Sequence, residues 1–143
     1  MGRGRIRTSC WAVAAAVLCA ASVAGAQTTS LDREVKATPG REVRVGIYTS
    51  MRPDCTAGPL PVIRLSVAPE HGAVTVRRAT LKATNVKQCL AAELSALVAF
   101  YRPEAESGND DRFELEVSFA TGRKQVQRFH VLISRGAGEG QRI

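Results

Sequence analysis

Between residues 113 and 133 the chain alternates apolar and polar side chains on both sides of one short turn, and that pattern narrows the choice of fold most. Phe113, Leu115, Val117 and Phe119 alternate with Glu114, Glu116 and Ser118. The turn Ala120-Thr121-Gly122-Arg123 follows, and within 124–134 Gln127, Phe129, Val131 and Ile133 share a face. A period of two places one set of side chains on each side of a strand, and two such runs around a Gly-containing turn make a hairpin. Such a hairpin has one apolar face, which needs a second layer to cover it.

The rest of the chain supplies that layer. Glu42–Tyr48 alternates with Val43, Val45 and Ile47 on one face, and Pro61–Val67 with Ile63, Leu65 and Val67. Pro69-Glu70-His71-Gly72 interrupts, and Ala73–Arg77 resumes with Val74 and Val76, so these two runs read as a second hairpin. A short strand is expected over 79–83 with Leu81 inward. The stretch 88–94 fits either a helical turn or a strand, because Leu90, Leu94 and Leu97 have helical spacing. A strand is expected over 95–101, stopped by Pro103. Residues 52–59 are dense in turn formers. Six or seven short strands with turns between them predict an all-β sandwich of about seven antiparallel strands over 41–135. Residues 27–40 are expected to be a flexible lead-in, and 136–143 a fraying tail.

Residues 1–26 have the three parts of a secretory signal peptide. Arg3, Arg5 and Arg7 form a positive start, Trp11–Ala21 is unbroken and apolar, and Ala24-Gly25-Ala26 is small, which puts cleavage between Ala26 and Gln27. The apolar run is short of the about 20 residues a spanning helix needs. The expected location is the periplasm or the outside of the cell, with no transmembrane segment after cleavage.

Cleavage changes the composition. It removes three of 20 basic residues and no acidic one, leaving 17 against 13 and a net charge of +4 rather than +7. That mild excess does not make a nucleic-acid interface, which clusters Lys and Arg on one element. Cys10 and Cys19 leave as well, so Cys55 and Cys89 remain and are expected to form one disulfide. Closing that loop would contribute about 4 kcal/mol by restricting the unfolded chain.

Three turn segments occur in order: Pro69-Glu70-His71-Gly72-Ala73-Val74, Phe100-Tyr101-Arg102-Pro103, and Gly108-Asn109-Asp110-Asp111-Arg112-Phe113. The series resembles the bacterial Ig-like and cadherin-like surface modules over roughly residues 60–134. Their pattern is Pro-x-His-Gly-x-Val, then Tyr-x-Pro, then Gly-x-Asp-x-Phe. Asp110 keeps the Gly spacing and Asp111 keeps the Phe spacing. The resemblance implies an Ig-like sandwich and a binding or structural role; calcium binding, known among some relatives, is not carried over.

Candidate chemistry is sparse. His71 and His130 are the only histidines and have no partners at ligand spacing; His71 is assigned to the turn and His130 to the solvent face. Glu104, Glu106, Asp110 and Asp111 form an acidic loop without EF-hand spacing, read as solvated. Arg77, Arg78, Lys82 and Lys87 could meet an anionic envelope polymer, or simply solvate a strand. There is no nucleophile elbow and no phosphate loop in the sequence. No catalytic residue, metal or cofactor is implied. The expected function is an exported, non-enzymatic cell-envelope module that binds another macromolecule, a protein or envelope polymer, or plays a structural role; the alternative is a periplasmic protein binding a small ligand or metal.

Overall fold

A computed structural model describes residues 25–135, so the signal-peptide segment and the expected tail lie outside the described residues, apart from Gly25 and the cleavage pair Ala26 and Gln27. The chain folds as β1 (Thr28–Ala37), β2 (Val43–Thr49), β3 (Val62–Val67), β4 (Gly72–Lys82), β5 (Glu93–Pro103), β6 (Asp110–Ser118) and β7 (Lys124–Ile133). A single 3-10 turn, Lys87–Cys89, precedes β5. The open question over 88–94 is thereby answered: a helical turn, then the start of the strand. The short strand expected over 79–83 is the end of β4, and Leu81, expected inward, instead lies opposite Leu94 on the outer face, because β4 continues in one register from Gly72 and sets its parity there.

The strands form two sheets, β1-β7-β6-β3 and β2-β5-β4. The orders β2-β5-β4 and β3-β6-β7 are those of the B-E-D and C-F-G strands of an immunoglobulin-type sandwich. The expected β6–β7 hairpin is present, with Phe113 opposite Phe129.

Four further expectations are corrected. The lead-in contains a ten-residue strand, β1, which pairs with β7 in parallel, so the sandwich is not wholly antiparallel. The pattern missed it because β1 lies at a sheet edge and only its last residues, Val35 and Ala37, reach the core. Secondly, β3 and β4 do not pair: β3 pairs with β6 and β4 with β5. Two alternating runs around a turn look alike whether they pair or face each other across a core.

The other two corrections come from bulges. A register shift between Arg44 and Gly46 leaves Val45 buried, turns Ile47 outward opposite Val98, and turns Tyr48 inward. A second shift, between Leu65 and Val67, sets Val67 opposite Glu114 on the outer face. Ile47 and Val67 are 42% and 47% exposed, where simple alternation had put both in the core.

Phe113, Leu115, Val117, Phe129 and Val131 from one sheet meet Val45, Ala99 and Tyr101 from the other. Phe113 stacks on Phe129 at 4.6 Å and on Tyr101 at 5.4 Å, so one ring column crosses the sandwich.

The three turn segments converge at the top of that column. The Asp111 carboxylate accepts hydrogen bonds from the amides of Glu70 and His71, both at 3.0 Å, from the Tyr101 hydroxyl at 2.6 Å, and from the Arg112 amide at 2.8 Å. Asp111, not Asp110, is therefore the aspartate that joins the motifs. Gly72 is required beside it, since a Cβ there would lie 2.6 Å from the Tyr101 ring. Burial pushes the Asp111 carboxyl up, but the Tyr101 hydroxyl and the three amides outweigh it and hold it below its ordinary value.

A depressed folded-state value means stability that is complete above the unfolded value, about pH 4, and lost as pH falls through the folded one. Asp111→Asn should cost about 2–4 kcal/mol at neutral pH, because buried donors lose a charged acceptor. Denaturant unfolding at neutral and acid pH should show the variant's deficit shrinking on acidification; an equal deficit at both would contradict this role.

Candidate functional site

The outer faces of the two sheets differ in kind. On the four-stranded sheet, charges pair with one another. Arg128 reaches Glu114 at 3.3 Å and Asp32 at 3.7 Å, and Glu116 holds both Arg64 and Lys124 at 3.1 Å. The hydrogen bond from Lys124 and the charge of Arg64 keep Glu116 below the usual carboxylate range. At its β3 edge this face also exposes Val62 and Val67, opposite Ser118 and Glu114.

The three-stranded sheet is apolar outside as well as inside. Strand β5 runs Leu94-Ser95-Ala96-Leu97-Val98-Ala99-Phe100-Tyr101, and Leu97, Ala99 and Tyr101 belong to the core. Leu94, Ala96, Val98 and Phe100 therefore point outward. Cross-strand neighbours on that face are Arg44, Ile47 and Thr49 of β2, and Thr75, Arg77, Ala79 and Leu81 of β4. Leu94, Ala96 and Val98 are buried although they lie outside the core cluster.

Arg77 covers one end of the apolar row. Its guanidinium sits 4.6 Å from the Phe100 ring centre and forks onto Glu42 at 2.6 and 2.9 Å. The other end opens into a groove of about 620 Å³, whose apolar lining includes Ile47, Met51, Leu81, Val86 and Leu94, with Lys82 among the residues around it.

Met51 and Val86 lie on loops that the Cys55–Cys89 disulfide joins, with Cα atoms 5.2 Å apart. Cys55 closes a turn through its amide to Arg52, and the opposing loop is zipped by bonds between Ala83 and both Ala91 and Ala92. The expected disulfide is present, and it ties the two walls of the groove together.

The residues singled out in the sequence do not assemble there as a group. Asp111 is buried in the clamp, whereas Glu104 and Glu106 are exposed on the loop before β6. Asp110 lies 3.2 Å from His130 on the charged outer face. His71 is about half exposed beside Glu70, at 3.9 Å. Among the described residues no group of three or more His, Cys, Asp or Glu is placed to hold a metal ion. Of the basic residues, Arg77 lies on the apolar face and Arg78, one residue on, points the other way opposite Leu97. Lys82 alone lines the groove, and Lys87 is exposed on the neighbouring 3-10 turn. What the sequence reading missed was the outer half of β5, whose signal was an apolar run at both parities.

No family model matches the chain, and no curated protein matches it. The chain is similar to the solution structure of amebosin, with 8% identity and a TM-score of 0.40, over 76% of this chain and 99% of that one. Among the described residues no helix is long and apolar enough to cross a membrane.

Reducing the disulfide should lower stability by about 4 kcal/mol and free the groove walls. Unfolding with and without reductant measures the first, and hydrogen exchange at residues 83–92 the second. Unchanged exchange there after reduction would show that the bond does not shape the groove.

Proposed function

We propose that this chain is an exported, non-enzymatic module of the cell envelope that binds another protein through the outer face of its three-stranded sheet. The observation that carries this reading is the apolar groove with disulfide-tied walls, beside which Ile47 is exposed; the row of Leu94, Ala96 and Val98 leading to it is itself buried. Apolar side chains lining an open groove are a feature that partners cover, whereas the centre of the opposite sheet is occupied by paired charges. The preferred occupant is a protein segment, since the groove is lined by aliphatic side chains and Met51. Lys82, with no acidic partner among the described residues, favours a carboxylate on that segment beside its apolar side chains.

The resemblance of the turn motifs to those of Ig-like surface modules supports this reading. Export is supported by the leader pattern, by a disulfide that suits an oxidising compartment, and by an exposed junction at Ala26–Gln27 ahead of β1. A binding role rather than catalysis agrees with how the titratable side chains are used: Asp111 holds a turn and His130 meets Asp110.

Two measurements test this. Mass spectrometry of the protein recovered from cells should find Gln27 as its first residue; an intact N-terminus in the cytoplasm would overturn export. A photo-crosslinker at Ile47 should capture one envelope protein that Leu81→Asp no longer captures, with its melting temperature retained. The same capture from a crosslinker at Arg64, on the charged face, would refute the assignment of the face.

A further inference from the structure

A second cleft lies at the open side of the sandwich, where β2 faces β1 and β7. Its volume is about 260 Å³, and Arg33, Gly46, Tyr48, Arg123, Gln125 and Gln127 are among its lining residues. Gln127 occupies an inward position of β7, in line with Phe129 and Val131, and is only 3% exposed. An apolar residue would fill such a position at no polar cost.

The hydrogen bonds around Gln127 run in one direction. The Tyr48 hydroxyl donates to Gln127 Oε1 at 2.6 Å, and Gln127 Nε2 donates to Gln125 Oε1 at 2.7 Å. Gln125 has therefore used its acceptor inward, and its NH₂ group is the free end of the chain. Burial raises the Tyr48 hydroxyl above its ordinary value, against the pull of the Arg33 charge, so the phenol keeps the proton it donates. Gly46 makes the start of this chain fit, since a Cβ there would collide with the Tyr48 hydroxyl.

The cleft also holds two guanidiniums. Among the described residues neither Arg33 nor Arg123 is paired with a carboxylate, and no Asp or Glu lines the cleft. Arg123 lies 4.3 Å over the Phe119 ring, which orients it without neutralising it. Guanidinium and amide NH₂ groups are donors only, in geometries that suit planar or tetrahedral oxygens. Its volume falls below the range usual for drug-sized ligands, so it suits a small anion or an anionic end group.

We propose that this cleft binds an oxyanion, a carboxylate or phosphate group, through Arg33, Arg123 and the free NH₂ of Gln125. The site is separate from the apolar groove and would operate whether or not that groove binds a protein.

The test is an NMR titration of the exported chain with inorganic phosphate and, separately, with succinate. Sodium chloride at matched ionic strength is the control. A saturable shift of the Gln125 side-chain NH₂ signals with either probe supports the site, and the stronger probe identifies the anion class. Gln125→Glu keeps the oxygen that Gln127 needs and replaces the outward donor with a charged acceptor. It should weaken binding by about tenfold or more, as should the double variant Arg33→Ala/Arg123→Ala, with melting temperatures nearly unchanged. No saturable shift with either anion, an equal response to chloride, or undiminished binding by both variants would overturn the proposal.

Discussion

The sandwich depends on one buried carboxylate at the place where the chain crosses between sheets. Strands β3 and β4 belong to different layers, so the turn between them has no ladder to hold it. Asp111, at the start of β6, supplies the missing acceptor for two of its amides. Burying a charge is costly unless donors surround it, and here a phenol and three backbone amides do so. The phenol belongs to Tyr101 at the end of β5, so a single side chain links the 69–72 turn, the second sheet and the ring column of Tyr101, Phe113 and Phe129. Gly72 then follows from packing, since any larger residue would meet the Tyr101 ring.

This arrangement explains why the three turn segments occur together. They are parts of one clamp, and their chemistry is structural. The acidic loop contains both a keystone and solvated charges: Asp111 is sequestered, while Asp110 is on the surface beside His130. Sequence spacing alone left the choice between the two aspartates open, and it was decided by which of them could face the turn.

Much of the fold was legible in the alternation of β6 and β7, where each inward residue of one strand meets an inward residue of the other. Legibility failed where backbone irregularity or neighbours decide the outcome. The bulge at Gly46 reverses the faces of Ile47 and Tyr48, and the shift after Leu65 does the same to Val67. No period-two count contains the extra residue. Strand β1 was hidden because an edge strand is held by backbone bonds to β7 and buries few side chains. The candidate sites were hidden by the bulge: the register shift at Gly46 sends Ile47 to the groove and Tyr48 to the polar cleft. The proposed binding surfaces thus arise where the pattern breaks.

Held by Asp111, the 69–72 turn should be as firm as the core although it lies at the surface. Amide hydrogen exchange at Glu70 and His71 measures this. If Asp111 holds the crossing, both amides should exchange only through global unfolding, at the free energy shown by the β6 amides of Phe113 and Leu115. Exchange at the rate of an ordinary exposed turn, with those core amides still protected, would contradict it.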